Sequence, residues 1–126
     1  MRIFIADADA GTRLALQMYL HREPGLYVTG MASQSQGLVT QVKASQPDVL
    51  LLDWKLPGAF MQDLLAEILR LNKPPKVVVL SADPDVKSTV MSAGADAFVS
   101  QNGPPDKLLE VLYSMKNAQM LSGRNK

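Results

Sequence analysis

The sequence predicts an α/β fold: a doubly wound, five-stranded parallel sheet with helices on both faces. Two runs, Val49-Leu50-Leu51-Leu52 and Val77-Val78-Val79-Leu80, are apolar at every position. A strand of that kind is buried on both sides, which points to a parallel sheet held between helical layers. Amphipathic stretches of helical period separate these runs from three further strand candidates, so the order reads βα five times over. A chain of 126 residues with 47% hydrophobic and 20% charged content buries one core and makes one domain.

Ile3 to Ala6 is a short run rich in β-formers, stopped by Asp7-Ala8-Asp9. A helix is expected over Thr12–His21, where Leu14 and Met18, and Leu16 and Leu20, stand one turn apart. Asp9 is its N-cap, because a carboxylate there accepts from the free N–H groups of the first turn. Pro24-Gly25 turns the chain into a more polar second strand, Leu26–Ala32. The next helix, Ser35–Ser45, buries Leu38, Val39 and Val42. It stops at Gln46-Pro47, since a proline drives the residue before it out of helical geometry.

The third strand, Val49–Leu52, runs directly into Asp53, and Pro57-Gly58 turns the chain. A helix over Asp63–Leu71 carries Leu64, Ile68 and Leu71 on one stripe and is broken by Pro74-Pro75. The fourth strand, Lys76–Leu80, ends at Ser81. Asp83-Pro84 supplies an N-cap and first-turn proline for a short helix to Ser92, with Gly94 closing it. Ala97–Ser100 is the fifth strand. Pro104-Pro105 opens the last helix, with Leu108, Val111, Leu112 and Met115 as its apolar stripe. Residues 1–121 form the domain and 122–126 a polar tail expected to fray. There is no internal repeat, low-complexity segment or linker.

Composition excludes much chemistry. Without cysteine there is no disulfide framework, thiolate zinc site or cysteine nucleophile. His21 is the single histidine and has no partner for a metal site or a triad. A net charge of +1 from 13 basic and 12 acidic residues writes no nucleic-acid surface into the composition. No Gly-rich phosphate loop follows the first strand. The seven methionines are scattered like core filler. No apolar run approaches the roughly 20 residues of a membrane span, and the N-terminus lacks signal-peptide layout. A soluble cytoplasmic protein without membrane contact is the expectation.

In an open parallel sheet, ligands bind beyond the carboxyl ends of the strands, where strand order reverses. The polar residues at those ends are Asp7 with Asp9, then Asp53, Ser81 and Gln101. Each has a plain structural reading. Asp7 and Asp9 solvate a loop and cap a helix, Asp53 starts a turn, and Ser81 alone says nothing. Their coincidence at the ends of strands one, three and four favours a site. Clustered carboxylates invite Mg²⁺, a hard cation that takes oxygen ligands.

These residues resemble the receiver domain of bacterial response regulators, over about residues 2–118. The stretch from Pro47 to Gly58 resembles the segment holding the family's phospho-accepting aspartate, which places that role on Asp53. Val77-Val78-Val79-Leu80-Ser81-Ala82 is similar to the segment whose hydroxyl, here Ser81, contacts the phosphoryl group. In Ala93-Gly94-Ala95-Asp96-Ala97-Phe98-Val99-Ser100, Phe98 matches the aromatic that moves with the output face. The resemblance implies a flavodoxin-like sheet of strand order 2-1-3-4-5. It also implies a Mg²⁺ site of Asp7, Asp53 and the Lys55 backbone carbonyl, and a non-enzymatic signalling role.

Two positions depart from that pattern. Ala8 stands where the family has a metal-coordinating acid, and Gln101 where it has a lysine that bridges to the phosphoryl group. The formal charge is unchanged, because one acid and one base are lost together, but the tools differ. Phosphoryl transfer rests on positioning and on cancelling charge at the transferred oxygens, and a neutral amide donates more weakly than an ammonium.

The expectation is an atypical receiver. Its Asp53 is phosphorylated weakly or not at all, its Mg²⁺ site is weakened, and it signals by protein contact. The alternative is a working receiver, phosphorylated on Asp53 by a sensor histidine kinase and controlling an output domain. A third reading makes Asp7 and Asp53 the acid–base pair of a small enzyme. Expected partners are a histidine kinase or another signalling protein. A homodimer through helix four, strand five and helix five is also expected, over residues 83 to about 118. Direct nucleic-acid binding is not.

Overall fold

A computed structural model describes the backbone of residues 1–124 and the side chains of residues 1–121. The strands are β1 (Arg2–Ala6), β2 (Tyr27–Ala32), β3 (Val49–Asp53), β4 (Lys76–Ser81) and β5 (Ala97–Ser100). The helices are α1 (Ala10–His21), α2 (Leu38–Ser45), α3 (Met61–Leu69), α4 (Lys87–Ser92) and α5 (Asp106–Arg124). All neighbouring strands pair in parallel, in the order β2-β1-β3-β4-β5. This is the doubly wound, flavodoxin-like arrangement expected.

β3 lies at the centre of the sheet and is buried along its whole length. Its alternate residues serve two cores. Leu50 and Leu52 join Phe4, Ala6, Val77 and Val79 beneath α2, α3 and α4. Leu51 and Val49 join Ile3, Ile5, Val78 and Leu80 beneath α1 and α5. Continuous apolar strands therefore follow from a sheet covered on both faces.

Several boundaries differ from the sequence reading. α1 starts at Ala10, directly after its Asp9 cap, whose carboxylate accepts from the Thr12 N–H at 2.9 Å. Of its two i,i+4 pairs, only one is inward. Leu20 is fully buried and Leu16 packs on the core, whereas Leu14 and Met18 are each 56% exposed. Residues 14 and 18 stand one turn apart from each other but on the far side from 16 and 20.

α2 starts at Leu38, not Ser35, because Ser35–Gly37 is used as a turn. The Ser35 N–H donates to the Pro57 carbonyl at 2.9 Å, and Gly37 sits at φ 78°. α3 is displaced two residues toward the N-terminus. Asp83-Pro84 opens a 3-10 turn, Pro84–Val86, before α4 rather than the helix itself. Gly94, at φ 109°, follows the last helical cap of α4, a backbone state favoured only by glycine.

α5 continues through Ser122 to Arg124, so this part of the expected tail is helical backbone; residues 125–126 lie outside the described residues. No described helix is long and apolar enough to cross a membrane.

Candidate functional site

The parallel register builds the site. Ala6 pairs with Leu52, so the next residues, Asp7 and Asp53, emerge side by side. Asp53 pairs with Leu80, which sets Ser81 one step further along the same edge, and Ser81 pairs with Ser100. Asp7, Asp53 and Ser81 are 3%, 8% and 2% exposed. Polar side chains this buried need hydrogen-bond partners or they destabilise the fold.

Asp53 has one firm partner. The Lys55 N–H donates to its Oδ1 at 2.9 Å, and the Ala8 N–H stands 3.5 Å from its Oδ2. Ser81 Oγ accepts from the Asp83 N–H at 3.1 Å. Asp7 is held at both ends: Asp9 N–H donates to its Oδ1 at 2.9 Å, and Arg13 Nη1 donates to its backbone carbonyl at 2.6 Å. Its other carboxylate oxygen, Oδ2, is buried with no partner. Burial pushes the Asp7 carboxyl above its ordinary range. The Asp9 N–H pulls it back in part, and the Asp53 and Asp9 charges push it further up.

The orphaned oxygen carries a stability prediction. A carboxyl whose folded value is raised costs the folded state free energy wherever it is ionised. That cost is full above the folded value and disappears as pH falls through it toward the unfolded value. Asp7→Asn keeps an acceptor for the Asp9 N–H and turns the orphaned oxygen into a donor facing Asp53. It is expected to stabilise the fold at neutral pH by about 1 kcal/mol, raising the melting temperature by a few degrees. The gap closes on acidification, and thermal melts across the acidic range check both parts.

Asp9 is not in the pocket. Its carboxylate is taken up by the Thr12 hydroxyl at 2.7 Å and the Thr12 N–H, which hold it below the usual range. Ala8 leaves its position without a side-chain oxygen. Gln101 makes no hydrogen bond to Asp53. Its backbone N–H donates to the Ser81 carbonyl at 3.0 Å, but its amide makes no hydrogen bond among the described residues. Gln101 follows directly on Ser100, the last residue of β5. Phe98 is half-buried against the core under α4, paired with Val79.

The sequence reading missed Arg13. Its place one turn after the Asp9 cap was the available signal, because a helix's first turn faces the residue that precedes it. It also missed the Ser35–Pro57 contact that ties the two loops flanking Asp53, which no local pattern announces.

The family model for the response regulator receiver domain matches residues 3–113. The chain belongs to that family. Response regulator UvrY of Escherichia coli O6:H1 is 24% identical over 121 residues, covering 94% of this chain and 56% of UvrY. A protein-glutamate methylesterase/protein-glutamine glutaminase of Caulobacter vibrioides is 32% identical over 96 residues, covering 76% of this chain and 26% of that protein. The chain thus spans about half or less of these relatives. The signal receiver domain of a putative Luxo repressor protein from Vibrio parahaemolyticus has the same fold. Its TM-score is 0.83 at 20% identity, with 99% of this chain and 97% of that one covered.

Receiver domains of this family use Mg²⁺, so the donor set was tested against it. Among the described residues, no cluster of three or more carboxylates or histidines exists. Two adjacent carboxylates do, and the buried Asp7 Oδ2 lacks any other partner. Two carboxylates with water completing the octahedron are within what Mg²⁺ accepts. The residues fit the ion.

Proposed function

We propose that the chain is an atypical receiver that signals by protein contact, with Asp53 phosphorylated weakly or not at all. The observation that carries this reading is a pocket holding Asp7, Asp53 and Ser81 without a side-chain oxygen at position 8 or a cation at position 101.

Asp53 supplies the nucleophilic carboxylate, oriented by the Lys55 N–H. Ser81 supplies one hydroxyl for a phosphoryl oxygen. Mg²⁺, when bound by Asp7, Asp53 and the Lys55 carbonyl, supplies positive charge to the phosphoryl oxygens. No residue here supplies the second cation. Removing one preorganised charged donor from a comparable site costs on the order of a hundredfold or more in rate. The reading extends to a cytoplasmic setting and to contacts with a histidine kinase or another signalling protein. A symmetric pair through α4, β5 and α5 is part of it.

Trp54 reports on the pocket directly. It is the single tryptophan, its backbone N–H donates to the Leu80 carbonyl at 3.1 Å, and its neighbour is Asp53. Titration of its fluorescence with Mg²⁺ is expected to show millimolar or weaker binding, and Ala8→Asp to tighten it by roughly tenfold. Tight Mg²⁺ binding by the unaltered chain, unchanged in Ala8→Asp, would remove the basis of the proposal.

A further inference from the structure

The polar groups of Asp7 can be accounted for one by one. Its backbone N–H donates to the Ala32 carbonyl at 3.0 Å. Its backbone carbonyl accepts from Arg13 Nη1 at 2.6 Å, and its Oδ1 accepts from the Asp9 N–H at 2.9 Å. Only Oδ2 is left, buried and without a partner. A carboxylate residue held on every side but one is arranged to offer its remaining oxygen to something else. Of the groups that hold it, the Arg13 guanidinium is the one side chain; the others are backbone atoms.

Helix geometry brings Arg13 there. It stands in the first turn of α1, where its backbone N–H donates to the Asp9 carbonyl at 3.0 Å. Helical side chains lean toward the helix N-terminus, so its long stem runs back toward the end of β1 and is half-buried on the way. Its charge is not spent on an ion pair. Among the described residues the ion pairs are Lys76 with Asp96 and Lys107 with Glu110. An arginine that served only to neutralise the acids around it would fork onto one of their carboxylates. This one holds a neutral carbonyl instead.

We propose that Arg13 is a positioning residue of the metal site: its bond to the Asp7 carbonyl fixes the turn from Asp7 to Asp9, so that Asp7 Oδ2 stays free for Mg²⁺. The inference rests on the reading of Asp7 as a ligand of that ion. Arg13 acts through Asp7 and is not itself a ligand, since a guanidinium has no lone pair to give. The buried carboxylates of the pocket are Asp7 and Asp53. Misplacing Asp7 would leave the ion one carboxylate in place.

Charge and position act in opposite directions here. As a nearby charge alone, Arg13 would repel Mg²⁺, and Arg13→Met would bind the ion more tightly. As the group that holds Asp7, its loss in Arg13→Met is expected to weaken Mg²⁺ binding roughly tenfold, the usual result of removing a group that orients a metal ligand. Arg13→Lys keeps the charge and a donor, and is expected to recover most of the affinity. Mg²⁺ is titrated against Trp54 fluorescence in the unaltered and Ala8→Asp pockets, after melting curves confirm that each variant folds. A second readout needs no metal. The Asp9 amide, bonded to Asp7 Oδ1, is expected to exchange with solvent about tenfold faster in Arg13→Met, beyond any change at the Leu51 amide, which reports global opening. Unchanged or tighter Mg²⁺ binding in Arg13→Met, or an Asp9 amide as protected as before, would overturn the proposal. Asp7→Asn tests the reading beneath it. If its Mg²⁺ affinity equals that of the unaltered chain, Asp7 is no ligand, and this role for Arg13 falls with that reading.

Discussion

Ala8→Asp combined with Gln101→Lys is expected to raise the rate of Asp53 phosphorylation by a small acyl phosphate by at least about a hundredfold. The first change adds a carboxylate oxygen beside Asp7 and Asp53, where a bound Mg²⁺ would gain a ligand. The second adds a cation for the phosphoryl oxygens. Each single variant is expected to recover part of the gain, because one residue acts through the metal and the other directly.

Ala8→Asp alone also places a third carboxylate in a buried cluster whose Asp7 is already disfavoured as an anion. It is expected to lower stability in metal-free buffer and to recover it with Mg²⁺, as binding to the folded state alone requires. Intact mass over time measures the phosphorylation. If the double variant gains nothing, the two departures are not what limits the pocket.

Leu51→Ala is expected to destabilise the fold by about 3 kcal/mol, lowering the melting temperature by about 10 °C. Leu51 is fully buried in the central strand, and its side chain faces the α1–α5 core. Close packing on both faces leaves little room for the sheet to collapse around the cavity. Leu14→Ala is the matching control. Leu14 pairs at i,i+4 with Met18 rather than with Leu16 and is 56% exposed, so its truncation is expected to change stability by only a few tenths of a kcal/mol. Chemical denaturation of both variants tests the assignment of burial residue by residue.

The difference between those two leucines shows what the sequence carries. Strand runs such as Val49–Leu52 have one reading, because burial on both faces leaves no phase to choose. Helix α1 has apolar residues on two faces, and i,i+4 spacing alone does not say which pair is inward. The site was legible where strand ends define it: register alone brings Asp7, Asp53 and Ser81 together. It was not legible at Arg13, whose contact depends on where α1 begins. The start of α2 shifted because a long-range bond, from the Ser35 N–H to the Pro57 carbonyl, holds Ser35 in a turn.

On the proposed reading, an acid and a base are missing together from one pocket, so the balance of 13 and 12 is unchanged by it. Electrostatic function depends on where charges stand rather than on their sum.

The most direct measurement is the intact mass of the unaltered chain after incubation with Mg²⁺ and a small acyl phosphate, alongside Asp53→Asn. The account predicts the same result for both: little or no gain of a phosphoryl group over a time that converts the Ala8→Asp, Gln101→Lys variant. Rapid, complete gain by the unaltered chain, absent in Asp53→Asn, would contradict it.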